Sequence, residues 1–219
     1  MILGIFGAGA LGREVLEIVL EVNAGHTRWS RIVFLADIGD VKTVDGIEVI
    51  TPAQFAQLKE QNEPIEAIVA VGNPNSREKM ADKLMQLGIP LSNPIVHPWV
   101  RLSLSAKLGK GTVVNSFTTI SVDAVVGDNV YIQPHCGVGH NVTVGRNCVI
   151  SAGARIAGCC DIGQNTYIGM MVPVRDRVQI GSNCVISLGS VVQRDIPDGV
   201  TAIGNPARPM KRSDEGKLF

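Results

Sequence analysis

Val138-Gly-His-Asn-Val-Thr-Val-Gly-Arg-Asn-Cys-Val-Ile150 decides the fold, because its aliphatic residues at 138, 144 and 150 stand six apart. The same step taken in both directions gives Val96, Leu102, Leu108, Val114, Ile120, Val126, Ile132, Val138, Val144, Ile150, Ile156, Ile162, Ile168, Val174, Ile180, Ile186 and Val192 without an exception. Ile, Val and Leu supply 63 of the 219 residues. Composition alone would produce such a run about one time in 10^9, and a fixed short period marks a repeat fold. The residue four places after each aliphatic is small or β-branched, as at Ala106, Cys136, Cys148, Ala154, Cys160, Thr166 and Cys184. Gly often follows the aliphatic, at Gly109, Gly127, Gly139, Gly145, Gly163, Gly169 and Gly181, where a corner calls for a backbone free of Cβ clashes. Each hexapeptide therefore reads as a short strand and a turn. Three hexapeptides close one coil of a parallel β-helix. The repeats of 96–192 then give about five coils stacked roughly 4.8 Å apart, with an interior that admits only aliphatic and small side chains.

The rest of the chain has room for a second modest domain. Lys plus Arg and Asp plus Glu both number 20, so charge gives no case for nucleic acid or an anionic membrane surface. No apolar run approaches the ~18 residues of a membrane span, and the N-terminus lacks a basic-then-apolar export signal. The expectation is a cytoplasmic protein. Of the five cysteines, Cys136, Cys148, Cys160 and Cys184 fall on the small inward positions of the repeat, and there a thiol packs as a small hydrophobe. Cys159 adjoins Cys160, but no second thiol pair stands at zinc-site spacing. Neither a disulfide nor a metal site is expected.

Residues 1–93 read as half of a nucleotide-binding α/β fold. Residues 2–6 form a buried strand that runs into Gly7-Ala-Gly9-Ala-Leu-Gly12, a complete G-x-G-x-x-G. Leu11, Val15, Ile18, Val19 and Val22 then mark one helix face. Strand, glycine turn and helix start together raise the motif above a bare match. Amides at that helix start can hold a phosphate, with Arg13 close by. A second strand over 32–36 ends at Asp37, placed to bond a ribose or base. A third over 67–71 ends in Gly72-Asn73-Pro74, where Asn73 can cap a helix that closes at Gly88. Three strands are too few for a dinucleotide fold, so a mononucleotide or sugar nucleotide fits better than a nicotinamide cofactor.

The junction is Asn93-Pro-Ile-Val-His97-Pro, with His97 read as structural. Past Val192 the repeat stops, and Gly204-Asn-Pro206-Ala-Arg208 follows. This turn resembles the closing segment of hexapeptide-repeat acyltransferases, where it borders the coenzyme A tail. That resemblance makes Arg208 or Lys211 a candidate phosphate contact, the alternative being solvated tail charges, and residues 213–219 read as frayed. For chemistry, His140 stands third in its hexapeptide, at a corner rather than in the core. One coil later is Gly158, whose N–H no side chain covers. An imidazole near neutrality serves as a proton acceptor, and a bare amide suits a developing oxyanion. Asp176, one coil further on, reads as a solvated turn charge. His135 has two readings. Its spacing from His140 is similar to two zinc ligands of γ-class carbonic anhydrases, but the column above it holds Phe117 and Trp99, and His97 misses that register by two residues. An aromatic-stacking or secondary acceptor-binding role, or plain corner packing, is the alternative.

Residues 96–210 resemble the hexapeptide-repeat acyltransferases, whose β-helix is left-handed and whose active sites lie between the subunits of a trimer. Handedness comes from that resemblance, since the period does not give it. With the glycine-rich start, the Asn-Pro-x-x-His-Pro junction, the corner His and the later Ala-Gly included, the chain is similar end to end to the NeuD/PglD type of sugar acetyltransferase. That resemblance implies an α/β Rossmann-like half domain over 1–93 and a left-handed β-helix over 94–219. It implies acetyl-CoA as donor, no metal, a homotrimer, and transfer to the amino group of a nucleotide-linked amino deoxysugar. An O-acetyltransferase acting on sialic acid, a non-catalytic sugar-nucleotide scaffold and a zinc anhydrase are the alternatives. The residues implied are His140, Asn141 and Gly158 for catalysis, and Gly7, Gly9, Gly12, Arg13, Asp37, Gly72 and Asn73 for the acceptor. Coenzyme A falls to Gly158, Met170, Gly189, Gly204, Pro206 and Arg208. Two departures stand out: Asn141 replaces the usual acid after the His, and Ala10 and Leu11 stand where the glycine loop often carries a His.

Overall fold

A computed structural model describes residues 1–37, 42–60 and 63–211. The N-terminal part holds the strands β1 (Ile2–Phe6), β2 (Arg31–Leu35), β3 (Thr43–Val44), β4 (Ile47–Ile50) and β5 (Ile65–Val69), and the helices α1 (Ala10–Gly25), α2 (Pro52–Glu60) and α3 (Pro74–Gln86). The sheet runs β3-β4-β2-β1-β5. Every residue of β1 and β5 is buried, as strands covered on both faces should be, and the one charged residue among them, Glu66, accepts from Arg28 and Trp29. The second and third strands begin one and two residues earlier than the sequence suggests, because residues such as Ala70 and Val71 extend the apolar run past the last paired position. The β3–β4 hairpin and α2 were not anticipated: the elements are short, and Asp45 and Gly46 make the hairpin turn with positive φ.

From β6 (Ile95–Val96) to β21 (Val185–Ile186) the chain forms one two-residue strand per hexapeptide. Each pairs in parallel with the strand one coil away, as Tyr131↔Val149, Val138↔Ile156 and Val144↔Ile162 show. The result is a left-handed parallel β-helix with three sheets around an aliphatic interior. From Val114 to Val192 every periodic aliphatic is buried, and so are Cys136, Cys148, Cys160 and Cys184. Only the open first coil leaves Leu102 exposed.

Two local causes shape the corners. The glycine after each aliphatic is needed for coil-to-coil approach: a Cβ at Gly145 would lie 2.5 Å from Gln164 N, and one at Gly127 would lie 2.8 Å from Arg146 N. The left-handed residue is two places further on, from Asn129 and Asn141 at φ 55° to Gly153 at φ 73°. Asn and Gly recur there because they tolerate that region best.

The repeat does not end at Val192. Ile196 and Ala202 remain buried and bridge back to Ile180 and Ile186, so a last coil closes two residues short. The antiparallel pair β22 (Val200–Ile203) and β23 (Arg208–Lys211) finishes it, around a cis Asn205–Pro206 bond. The Lys211 side chain and residues 213–219 lie outside the described residues.

One face of the prism is covered by the N-terminal part. The outward residues Ile95, Val113, Tyr131 and Val149 are buried in one cluster with Leu3 and Ile5 of β1 and Val15, Ile18 and Val19 of α1. His97 is buried at the junction, where its Nε2 lies 2.6 Å from Glu21 Oε2 on α1 and its Nδ1 accepts from Trp99 N. Its structural reading holds.

Candidate active site

The His140 imidazole lies flat against the Cα of Gly158. A Cβ at Gly158 would stand 2.5 Å from its Cε1 and 2.9 Å from its Cδ2, so only glycine fits beneath the ring. Main-chain bonds lock the stack: Cys159 N donates to His140 O at 2.8 Å, and Arg177 N to Gly158 O at 3.0 Å. The Gly158 N–H finds no acceptor among the described residues. It is therefore free to donate to an incoming oxygen.

Asn141 Oδ1 is 3.1 Å from His140 Nδ1. A ring protonated at Nδ1 donates to that oxygen and leaves Nε2, the atom over Gly158, as the base. The left-handed φ of Asn141 turns its side chain back onto the preceding ring. Cys159 occupies the same corner one coil on, with Sγ 4.0 Å from His140 Nδ1. It was not anticipated as a neighbour of the ring, although its position eighteen residues after Asn141 gives that contact. Beside this corner an open groove of about 510 Å³ runs over Ser121, Gly137, Gly139, Arg155 and Ala157. Small residues keep it open.

In the glycine turn, Gly7 has φ +123°, and a Cβ there would stand 2.6 Å from Ala70 O. A Cβ at Gly12 would press within 2.9 Å of Gly7 C. Gly9 differs: nothing lies within 4 Å of its Cβ position. It caps α1 without any side-chain bond, leaving the first amides open to a ligand. Helix α1 descends the prism, with Glu21 on His97 in the first coil and Glu14 within electrostatic reach of Tyr131 two coils later. Seven helical residues rise about 10.5 Å and two coils about 9.6 Å. The glycine turn therefore sits near the height of the coils that carry His140 and Gly158.

The other sequence-named residues are distributed as follows. Arg13 Nε bonds Asp45 Oδ2 at 2.6 Å, and exposed Asp37 pairs with Lys83 of α3. Asn73 Oδ1 accepts from Ser76 N at 3.0 Å, so its side chain caps α3. Gly72 precedes it in the loop after β5. Met170 and Gly189 meet at a different corner, where Gly189 N donates to Met170 O. Gly204 N donates to Ser190 Oγ at 3.2 Å, and Pro206 and Arg208 belong to the closing hairpin. Asp176 lies 3.9 Å from Arg175 at an exposed turn. His135 stacks on Phe117 at 4.9 Å and 11° between planes, and Phe117 meets Trp99 at 5.2 Å with the rings tilted by 42°. Among the described residues no three His, Cys, Asp or Glu side chains gather to hold a metal.

The fold has close counterparts among known proteins. The model of the PglD N-terminal domain matches residues 3–84, and that of the bacterial transferase hexapeptide matches 123–158. A GDP-perosamine N-acetyltransferase of Escherichia coli O157:H7 is 30% identical over 220 residues, covering 96% of each chain. The chain belongs to the NeuD/PglD-type sugar acetyltransferases. Two solved members of this NeuD/PglD type superpose along nearly the whole length. The acetyltransferase domain of PglB from Neisseria gonorrhoeae FA1090 is 31% identical, with a TM-score of 0.86 over 95% of this chain and 99% of that one; it is also known in complex with acetyl coenzyme A. PerB from Caulobacter crescentus, in complex with CoA and GDP-perosamine, is 30% identical, with a TM-score of 0.84 over 96% and 97%.

Proposed function

We propose that this chain transfers the acetyl group of acetyl-CoA to the amino group of a nucleotide-linked amino deoxysugar. His140 acts as general base, Gly158 N–H as oxyanion donor, and Asn141 as the group that fixes the ring. The observation that carries the reading is an imidazole bonded through Nδ1 to Asn141 Oδ1 and set with Nε2 over a glycine whose amide is free, in a chain similar end to end to enzymes named for this reaction. GDP-perosamine, held by one relative, is the acceptor to try first.

The neutral sugar amine attacks the thioester carbonyl carbon. A C–N bond forms and the carbonyl electron pair moves to oxygen, where the Gly158 N–H meets it. His140 Nε2 takes the proton released by nitrogen. The oxyanion collapses, the C–S bond breaks, and the imidazolium returns its proton to the departing sulfur. The products are the N-acetyl sugar nucleotide and free coenzyme A.

Residues 1–93 serve the acceptor, through Gly7, Gly9, Gly12, Arg13, Asp37, Gly72 and Asn73. Residues 94–219 serve the acyl group, with coenzyme A along Gly158, Met170, Gly189, Gly204, Pro206 and Arg208. The working form is a cytoplasmic homotrimer with each site at a boundary between protomers. Release of free thiol from acetyl-CoA in the presence of GDP-perosamine tests the reading. Replacing His140 by Ala is expected to cut kcat by about 10²–10⁴-fold. Thiol release that survives His140→Ala, or none with any amino-sugar nucleotide, would overturn it.

A further inference from the structure

Arg77, in the first turns of α3, is fully buried although nothing in the mechanism uses it. Its guanidinium joins two parts of the molecule. Nη1 donates to Val69 O and Val71 O, both at 3.0 Å, and its backbone N–H donates to Asn73 O at 2.9 Å. The loop of Gly72 and Asn73 is thus held on either side by one residue. Nε and Nη2 donate to Asn129 O and Oδ1, each at 2.9 Å, and Asn129 Nδ2 donates back to Arg77 O at 3.1 Å. No carboxylate pairs with the charge among the described ion pairs. Burial brings its pKa down to about 10, which leaves it cationic at neutral pH.

Asn129 is the first rung of an asparagine column. Its Nδ2 donates to Asn147 Oδ1 at 2.9 Å, and Asn147 Nδ2 donates to Asn165 Oδ1 at 2.9 Å. Glu78, next to Arg77, accepts from Asn165 at 2.9 Å. Asn147 belongs to the coil of His140, and Asn165 to that of Gly158. One coil before Asn129 the corner residue is Gly111, which has no side chain to offer.

That column answers a problem peculiar to this architecture. A solenoid repeats its surface about every 4.8 Å, and apolar contact is non-directional. The cluster between α1 and the covered face would pack almost as well one coil up or down. A buried polar group with demanding geometry specifies register where hydrophobic contact does not.

We propose that Arg77 is a positioning residue: clamped on Asn129, it sets the height of the Gly72–Asn73 loop against the coils of His140 and Gly158, and so governs use of the sugar nucleotide. The inference rests on the acceptor assignment proposed above. Arg77→Lys keeps the charge and loses the fork. Asn129→Gly suits the left-handed corner and removes the side-chain bonds of the anchor on the solenoid side, keeping only the Asn129 main-chain oxygen. GDP-perosamine and acetyl-CoA are titrated separately by calorimetry on each variant, with thermal midpoints recorded. Both variants are expected to weaken GDP-perosamine about tenfold or more, as misplacement of a binding loop does, while acetyl-CoA affinity stays within about twofold. The double variant should be little worse than either single one, because the two residues form one unit. Equal weakening of both ligands, or unchanged GDP-perosamine affinity, would overturn the proposal. If Arg77→Lys does not fold, Asn129→Gly decides by the same titrations. Should the wild type bind no GDP-perosamine, the acceptor assignment itself has failed, and amide hydrogen exchange then judges the clamp. Faster exchange over 72–76 with the coils unchanged supports it; unchanged exchange there sinks it.

Discussion

At the corner of His140 the informative neighbour is Asn141 rather than a carboxylate. An amide can hold the ring's proton in place at Nδ1 but adds no charge to favour the imidazolium. Asn141→Asp retains a residue that tolerates the left-handed corner and places a negative charge about 3 Å from the ring. The carboxylate favours the protonated imidazole over the neutral base. The base is then lost at a higher pH, and the acid limb of the kcat/KM profile moves upward. A profile that does not move, or moves to lower pH, would remove Asn141 from its role. The sequence already placed His140 and Gly158 one coil apart, and because the period is unbroken between them the structure could only stack them. What it could not give was the ring lying flat on the glycine, since that depends on the rotamer chosen against Asn141 and Cys159.

At the scale of the element, the hexapeptide accounts for most of the chain and for the behaviour of its thiols. Burial pushes the Cys136 thiol up to about 11 and the Cys148 thiol up to about 12, and raises Cys160 as well. A thiol must ionise to react, and these remain protonated at neutral pH. Cys159, turned outward by its left-handed φ of 59°, is exposed. An aromatic disulfide reagent at neutral pH should therefore modify one thiol rapidly in the native protein and all five after denaturation. Acetyl-CoA should slow that first thiol, because its Sγ adjoins His140. Rapid reaction of two or more native thiols would contradict the packing. The inward cysteines were readable because every sixth residue fixed the frame. Arg77 was not, because an arginine early in a helix looks like any solvent-facing charge until the asparagine column beneath it is seen. The signal existed: Asn129, Asn147, Asn165 and Asn183 stand eighteen residues apart, the spacing that also separates His140 from Gly158.

At the scale of the whole molecule, the glycine turn and the catalytic corner sit at similar heights, but the turn belongs to the part that covers one face and His140 stands at the corner between the other two sheets, which fits a site completed by a second protomer. Sedimentation should give a mass three times the 23.3 kDa of one chain. The open space at Gly9 permits a sharper test. Gly9→Phe meets no protein atom within 4 Å of its Cβ and keeps an ordinary φ of −83°, so it should fold while blocking the acceptor. Gly9→Phe and His140→Ala are expected to be inactive alone and to regain acetyl transfer when co-expressed in mixed trimers. Inactive mixed trimers would mean that each protomer supplies both halves of its own site.

The sequence by itself determined the solenoid, its coil length, its inward residues and the corner that bears His140. A period of six fixes all four through local geometry, since every hexapeptide repeats the same strand and turn. The covered face was also written there, in the apolar Ile95, Val113, Tyr131, Val149, Tyr167 and Val185 recurring every third hexapeptide, while the other two outer columns are largely polar. Only the tertiary structure decided at what height the N-terminal part docks, how the last coil closes two residues short, and which buried arginine joins the two parts. Those features depend on contacts between residues far apart in the chain, and a repeating surface offers several nearly equivalent places for such contacts to form.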